Sequence, residues 1–137
     1  MSIVLDSSVT LAWVYADERS QAVLDVQETV VLSGAWVPRL WHLEVANSLQ
    51  QSVRRGRLGR AERDEWLADF ATLDIRSDPD TEAHAWSTTL NLAERFTLTL
   101  YDAAYLDLAH RRGLPIASLD RELRAAGREL GIPLLGV

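Results

Sequence analysis

The chain has 137 residues, of which 47% are hydrophobic and 25% are charged, values that are ordinary for one globular domain with its own core. It has no cysteine and no lysine, since all 14 basic residues are arginine, and this excludes disulfides, thiolate zinc sites, cysteine nucleophiles, P-loop phosphate binding and Schiff-base chemistry. The net charge of −6 argues against broad, charge-driven binding of nucleic acid, so any such role must be local and must use a bound cation and nearby arginines.

The N-terminal segment gives no sign of targeting to a membrane. The sequence MSIVLDSSV has no basic stretch ahead of an apolar run and no cleavage-site pattern. The longest apolar stretches are shorter than a bilayer requires. We therefore expect a cytoplasmic protein with no membrane association.

Strands and helices are predicted to alternate through the first half of the chain. The hydrophobic pattern indicates a strand at 2–5, helices at 7–15 and 18–29, a strand at 35–37 and a helix at 40–54. The run RGRLG at 55–59 predicts a turn, because its two glycines interrupt the helical pattern. The pattern then predicts a further helix at 60–73.

The second half continues the alternation and indicates the class of fold. We predict a strand at 74–76, one long helix at 79–96, a helix at 101–112, a strand at 115–119, a helix at 121–130 and a last strand at 132–135. Strands separated by helices require crossover connections and therefore a parallel sheet covered on both faces. The sequence predicts a single domain, 1–137, with a three-layer α/β/α sandwich around a parallel sheet.

Two aspartates follow predicted strands directly. Asp6 ends the run Ser-Ile-Val-Leu, and Asp120 ends the run Ile-Ala-Ser-Leu. Ligands of open parallel sheets bind beyond the carboxyl ends of the strands, so both side chains are candidates for a site. An aspartate between a strand and a helix is also a good helix N-cap, and for either residue alone capping is the better explanation.

Asp102 falls on the apolar side of its predicted helix, where a carboxylate is unfavourable unless it is paired or bound to a metal. The alternative is a capping box in which Thr99 and Asp102 satisfy the start of the helix. Asp107 falls on the opposite side, with Arg111 four residues later, as expected for a solvated ion pair.

Glu44 shares a narrow polar stripe with Asn47 and Gln51, opposite the apolar side of the helix at 40–54. By periodicity alone this helix is simply amphipathic, and a solvated face explains the stripe. The stripe gains a functional meaning only if it faces Asp6 and Asp102.

Several carboxylates held close together repel one another unless a cation neutralises them. A site made of oxygen ligands suits Mg²⁺ or Mn²⁺, which can activate water and stabilise charge on a phosphodiester. The three histidines show no metal-ligand spacing to one another.

Four motifs together resemble those of PIN-domain nucleases, and more closely those of VapC toxins of toxin–antitoxin pairs: IVLDSSV, LWHLEVANSL, LTLYDAAYLDLA and IASLDREL, in this order along nearly the whole chain. The resemblance implies that Asp6, Glu44, Asp102 and Asp120 are the catalytic and metal-binding acids, with no departure at any of the four.

Further expectations also come from the resemblance. It implies that Ser8, Asn47 and Thr99 are supporting polar groups. It implies cleavage of single-stranded or looped RNA, such as tRNA or rRNA, with Mg²⁺ or Mn²⁺. It also implies a homodimer and inhibition by a VapB-like antitoxin.

Outside these motifs, Arg54, Arg55 and Arg57 are candidates for contact with RNA or with the antitoxin, because arginine binds phosphate in a bidentate manner. The alternative is a solvated surface balanced by nearby acids. Trp13, two helical turns beyond Asp6, is a candidate for the same kind of contact, although tryptophan more often packs in cores and oligomer interfaces.

Two other functions fit parts of the pattern. A structure-specific DNA nuclease has a related acidic site, but that class usually has additional DNA-clamping helices and abundant lysine. A catalytically silent PIN fold that binds a protein partner is the second alternative, and the four intact acids argue against it.

Overall fold

A computed structural model describes residues 2–137, in which five short strands and eight α-helices alternate. The strands are β1 (Ile3–Leu5), β2 (Ala35–Val37), β3 (Ile75–Ser77), β4 (Ile116–Ala117) and β5 (Leu134–Leu135). The helices are α1 (Ser7–Ala12), α2 (Gln21–Ser33), α3 (Trp41–Arg54), α4 (Arg60–Phe70), α5 (Thr81–Ala85), α6 (Thr88–Phe96), α7 (Leu100–Arg112) and α8 (Arg121–Glu129), with a 3-10 turn at Ala16–Glu18.

The strands form one parallel sheet in the order β3-β2-β1-β4-β5. The chain moves outward from β1 to β3 on one side and then returns to continue with β4 and β5 on the other side. A point where the strand order reverses in this way opens a crevice at the carboxyl ends of the two strands, here β1 and β4. The parallel sheet and the three-layer α/β/α architecture confirm the predicted class of fold.

Helix α7 is the central helix of the fold. Every residue from Ala103 to Ala109 is buried, and the helix packs against β1 and β4 and contacts α5, α6 and α8. The helix begins at the N-cap Thr99 and ends at Gly113, whose φ of 64° is a left-handed conformation that suits glycine. Helix α3 contacts α1 and α4 and buries the apolar side that the sequence predicted, including Trp41, Val45 and Leu49.

The second predicted helix lies three to four residues further along the chain than expected. It begins after Ser20, whose hydroxyl accepts the N–H of Val23, and residues 16–18 form the separate 3-10 turn. It ends at Gly34, where φ is 73° and where a Cβ atom would lie 2.8 Å from a carboxylate oxygen of Asp74. The glycine therefore ends the helix and lets the chain pass close to Asp74.

The prediction of one long helix at 79–96 was wrong. The segment forms α5 and α6, separated at Trp86 and Ser87, and the backbone of Ser87 has φ −125° and ψ −98°. Beyond the break, Thr89 and Ala93 are buried, and α6 packs against α7. The break is therefore the point at which the chain turns to bring α6 onto α7.

The predicted pair of Asp107 and Arg111 exists, but it is buried and not solvated as expected. Asp107 is 2% exposed, and its Oδ2 accepts hydrogen bonds from Arg111 (2.8 Å) and from the hydroxyl of Thr89 (3.0 Å). Arg111 also bonds the fully buried Asp78 at 2.6 Å, so one guanidinium bridges two buried acids. The helical spacing of the pair was right, but α6 covers it.

Within residues 2–137, no helix combines the length and the apolar character needed to cross a membrane.

Candidate active site

The loops that follow β1 and β4 lie side by side at the crevice of the sheet. Asp6 follows β1, Asp120 lies two residues beyond Ser118 in the loop after β4, and the N–H of Asp6 donates to the carbonyl of Ala117 at 3.0 Å. The strand order thus brings the first and last acids of the sequence motifs to one place.

Asp6 is the most buried of the four candidate acids, with 4% of its surface exposed. Its Oδ2 accepts hydrogen bonds from the hydroxyls of Ser8 (2.6 Å) and Ser118 (2.8 Å). Although Asp6 lies at the N-cap position of α1, its side chain makes no capping hydrogen bond, so capping does not explain this residue. Burial raises its pKa above the ordinary value, the two hydroxyls oppose that shift, and the charge of Asp120 adds to it.

Ser118 is a site residue that the sequence analysis missed. It is fully buried, and its hydroxyl both donates to Asp6 and accepts the N–H of Asp120 at 3.0 Å. The Ser8 hydroxyl acts in parallel, because it donates to Asp6 and accepts the N–H of Leu119 at 3.0 Å. The two serines therefore fix the loops after β1 and β4 to each other around one carboxylate. Only the position of Ser118 at a strand end, two residues before Asp120, could have signalled this role.

Glu44 enters the site from the first turn of α3. Its Oε1 accepts a 2.5 Å hydrogen bond from the hydroxyl of Tyr105, a fully buried residue of α7. Burial raises the pKa of Glu44, the Tyr105 hydroxyl lowers it, and the charges of Asp6 and Asp102 raise it again. The pKa of Tyr105 lies far above its usual range because of burial and these acids, so the phenol remains a donor. Tyr105 is a second residue that the sequence analysis missed.

Asp102 lies in the first turn of α7 and is half-buried. The Thr99 hydroxyl caps the helix by accepting the N–H of Asp102 at 3.1 Å. That bond uses the backbone of Asp102 and leaves its carboxylate in the site, where burial raises its pKa and the charges of Asp120 and Asp6 raise it further. The predicted capping at Thr99 and the predicted position beside other acids are therefore compatible.

Asp120 caps α8 as the alternative explanation predicted, because its Oδ1 accepts the N–H of Leu123 at 2.8 Å. Its charge nevertheless acts on the site, since it raises the pKa of both Asp6 and Asp102. One oxygen is thus engaged by the helix, while the carboxylate as a whole remains beside the other acids.

The charges of neighbouring acids contribute to the raised pKa values of Asp6, Glu44 and Asp102, but the side chains of the four acids do not form one compact group. In the part of the chain that the structure describes, no three histidine, aspartate or glutamate side chains form a group that could hold a metal ion together. The hydrogen bonds from Tyr105 to Glu44 and from Leu123 to Asp120 direct these two carboxylates toward protein donors. The geometry thus brings the acids close enough to interact electrostatically.

The remaining predicted residues lie around this centre. Asn47 is exposed on α3, and no side-chain hydrogen bond of Asn47 is found within residues 2–137. Arg54 and Arg55 are exposed at the end of α3, and the guanidinium of Arg57 lies 3.8 Å from the centre of the Tyr15 ring. The prediction for Trp13 was wrong: the ring is 1% exposed and its Nε1 donates to the carbonyl of Val23 at 3.0 Å, so Trp13 belongs to the core.

Comparison with known proteins gives a consistent result. The family model of the PIN domain matches residues 3–129 of this chain. Ribonuclease VapC3 from Pyrobaculum aerophilum is 34% identical over 131 residues, which cover 90% of this chain and 92% of that protein.

Solved structures share the fold. PAE2754 from Pyrobaculum aerophilum has a TM-score of 0.69 at 23% identity, covering 92% of this chain and 84% of that one. FitAcB from Neisseria gonorrhoeae has a TM-score of 0.66 at 12% identity, covering 98% and 96%. VapBC2 from Rickettsia felis, bound to a DNA fragment from its promoter, has a TM-score of 0.66 at 8% identity, covering 98% and 97%.

Proposed function

We propose, from the premise that this chain belongs to the PIN domain family and to its VapC group, that it is a divalent-metal-dependent endoribonuclease and the toxin of a toxin–antitoxin pair. The relative named Ribonuclease VapC3 matches this chain over nearly its full length, which supports RNA as the substrate. The proposal rests on the crevice between β1 and β4, where burial and the charges of neighbouring acids raise the pKa values of Asp6, Glu44 and Asp102. No arginine or histidine within residues 2–137 pairs with these acids.

The donors of this site fit a hard divalent cation. Asp6, Glu44, Asp102 and Asp120 offer only carboxylate oxygens, which suit Mg²⁺ or Mn²⁺. Mg²⁺ usually keeps several of its waters and binds directly to one or two carboxylates. We therefore propose that one or two of the acids bind the ion directly and that the others bind its waters, which agrees with the absence of a three-residue group in residues 2–137.

A divalent cation, when bound, would activate water and neutralise the charge that develops on the phosphodiester. The chain supplies the positioning. The hydroxyls of Ser8 and Ser118 both contact Oδ2 of Asp6 and leave its Oδ1 without a hydroxyl donor. Tyr105 holds Glu44 through Oε1, and Thr99 fixes the helix start that presents Asp102.

The proposed partners follow from membership of the VapC group. A VapB-like antitoxin would inhibit the chain, and a tRNA or rRNA would be cut in a single-stranded or looped stretch. We also propose a homodimer. Mg²⁺ or Mn²⁺ is the proposed cofactor, and Asn47, exposed on the same helix as Glu44, is a candidate contact for a metal-bound water.

The test is RNA cleavage by the purified protein with Mg²⁺ or Mn²⁺ and with excess chelator. We expect cleavage only with the metal. Asp102→Asn should lower cleavage by at least about a hundredfold, because the charge of Asp102 is lost from the site, while the fold is retained. The same change should slightly raise the melting temperature of the metal-free protein, because repulsion is relieved. Asp69→Asn, at an exposed position of α4, is the matched control and should cleave as the wild type does.

Two results would count against this function. Cleavage that persists in chelator refutes the metal mechanism, and an Asp102→Asn protein that unfolds but keeps its activity per folded molecule makes Asp102 a structural cap. In cells, expression without a partner should arrest growth and Asp6→Ala should restore it. Equal toxicity of the two proteins argues against a catalytic toxin.

A further inference from the structure

A groove lined by both polar and apolar side chains, the latter including Leu11 and Leu119, lies between α1 and α3 beside the acidic residues. Its volume is about 360 Å³, and its lining includes Ser8, Tyr15, Ser48, Ser52, Arg55 and Arg57. Ser8 connects the groove to the site, because its hydroxyl also donates to Asp6. The groove is thus continuous with the acidic centre.

One face of α3 runs from the acids to the far part of this groove. Glu44, Ser48 and Arg55 are separated by four and seven positions, a spacing that places side chains on the same face of an α-helix. At 1.5 Å per residue, Arg55 lies roughly 16 Å from Glu44 along the helix axis. If the scissile phosphate of a bound RNA lies at the acids, a phosphate a few nucleotides further along that RNA would lie near Arg55.

The two arginines of the groove are available to a phosphate. Arg55 is exposed, and no side-chain partner of Arg55 is found in residues 2–137. Arg57 makes only long, exposed ion pairs, at 3.6 Å with Glu18 and 3.9 Å with Asp17. Exposed pairs of this kind contribute little, so a phosphate can replace them at small cost. Glu18 also lines the groove and offsets part of the positive charge of Arg57, whereas Arg55 has no acidic partner within residues 2–137.

Other groups in the lining are suited to contact single-stranded RNA. The guanidinium of Arg57 stacks on the ring of Tyr15 at 3.8 Å, and the Tyr15 hydroxyl is hydrogen-bonded to Ser52. Planar aromatic and guanidinium groups are the surfaces on which unpaired bases stack. The Ser48 hydroxyl and the exposed amide of Gln51 can bond to sugar or base edges without requiring a duplex.

We propose that this groove binds the single-stranded RNA segment next to the cleaved bond, with Arg55 and Arg57 on its phosphates and Tyr15 beside its bases. The inference rests on the proposed function, since it assigns a substrate path to the same acidic site. The net charge of −6 makes such a local path necessary, because the surface as a whole repels RNA.

The first test measures binding without cleavage. A fluorescein-labelled single-stranded RNA of mixed sequence is titrated in chelator with the wild type, Arg55→Ala and the control Arg128→Ala, which removes an exposed arginine of α8. Loss of one charge-assisted contact should raise the Kd about tenfold for Arg55→Ala. It should also reduce the slope of log Kd against log salt by about 0.7. Arg128→Ala should match the wild type.

The second test measures cleavage of the same RNA with Mn²⁺. Arg55→Ala should raise KM about tenfold and leave kcat within about twofold, because the contact is remote from the reacting bond. If the wild type cleaves while Arg55→Ala keeps both Kd and KM, the groove is not the substrate path. If no RNA is cleaved by the wild type while Arg55→Ala still weakens RNA binding, the proposed nuclease function fails and the groove stands as an RNA-binding surface. An RNA that does not bind the wild type overturns both.

Discussion

Hydroxyl groups hold the two acids at the centre of the site. Asp6 is bonded by Ser8 and Ser118, and Glu44 is bonded by Tyr105. A hydroxyl orients a carboxylate without cancelling its charge, whereas an arginine would pair with it and occupy its oxygens. The site therefore keeps its negative charge and fixes the direction of the carboxylates, which is what a cation site requires.

Tyr105→Phe removes only the hydroxyl that donates to Glu44. We expect kcat to fall about tenfold or more with KM for RNA unchanged, because a hydrogen bond to a charged group is lost and Glu44 is no longer oriented. The Mn²⁺ concentration that gives half-maximal activity should also rise. A purely structural role would leave that concentration unchanged, and this outcome would remove Tyr105 from the positioning residues.

The control for this variant is Tyr101→Phe, one turn earlier on α7, where the side chain is 64% exposed. Its metal requirement should equal that of the wild type. Both variants should unfold in one transition, which shows that any difference between them reflects the site and not the fold.

Sequence reasoning indicated the acids of the candidate site, but it did not indicate the hydroxyl groups that bond to them. Asp6 and Asp120 are recognisable because they end strands, and Asp102 because it lies on an apolar face. Tyr105 also lies on that apolar face, where a tyrosine is usually a core residue. Its hydrogen-bond partner Glu44 is 61 positions away in sequence, so the contact could not be predicted. The prediction for Trp13 was wrong because the residues next to it in sequence do not show that its indole is buried. The indole bonds to the carbonyl of Val23, ten positions further along the chain.

Helix α7 connects two acidic clusters of opposite character. Asp102 and Tyr105 lie in its N-terminal half, whereas Asp107 and Arg111 lie in its C-terminal half. Arg111 bridges Asp107 to the buried Asp78, and Arg112 adds a longer contact to Asp78 at 3.4 Å. Helix α7 thus carries Asp102, which has no arginine partner, near the site, and Asp107, which is paired with Arg111, toward its other end.

Arg111→Met should destabilise the protein by roughly 3 kcal/mol, because Asp78 and Asp107 would remain buried without their shared partner. Urea denaturation at neutral pH measures the free energy of unfolding. Arg128→Met, at an exposed position of α8, is the matched control and should change it by less than about 0.5 kcal/mol. Equal stabilities of the two variants would mean that the bridge contributes nothing to the fold.

At the element scale, the predictions failed where tertiary contacts decide. The segment 79–96 has a continuous helical pattern, yet it breaks at Ser87 so that Thr89 can reach Asp107. The end of α2 depends on Gly34 and on the neighbouring Asp74, a contact that spans 40 positions of the chain. The helix starts at Thr99 and Asp120, by contrast, follow local capping rules and were predictable.

The two clusters predict opposite responses of the whole molecule to pH. Burial and mutual repulsion raise the pKa values of Asp6, Glu44 and Asp102 above their ordinary values of 3.8, 4.5 and 3.8. Burial opposes ionisation of Asp78 as well, but hydrogen bonds from Arg111 and from the N–H of Asp80 hold its pKa below 3.8. The first group lowers stability when it is charged, whereas Asp78 stabilises the fold when it is charged.

The stability of the metal-free protein should therefore pass through a maximum in mild acid. As pH falls from neutrality toward about 4, the folded state takes up protons at the raised carboxyls before the unfolded state does, so the free energy of unfolding rises. Below about 4 the unfolded chain protonates before Asp78 does, and stability is lost. Urea denaturation in chelator across this range measures the curve.

Asp102→Asn is the control for this pH dependence. In this variant the free energy of unfolding should rise less as pH falls from neutrality, whereas its loss below about pH 4 should be unchanged. A metal-free stability that decreases steadily from neutral pH to pH 5 would contradict the assignment of uncompensated charge to the site.

At the scale of the molecule, the parallel α/β sandwich was predictable from alternating strands and helices. The strand order was not, because nothing local indicates that β1 lies between β2 and β4.

The most direct measurement is a calorimetric titration of Mn²⁺ into the metal-free protein and its single variants. If the acids gathered between β1 and β4 share one cation, the wild type binds Mn²⁺. Asp6→Asn, Glu44→Gln and Asp102→Asn should then each weaken that binding about tenfold or more, and Asp69→Asn should not. If Asp6→Asn, Glu44→Gln and Asp102→Asn all bind Mn²⁺ as tightly as the wild type does, these acids do not share a cation.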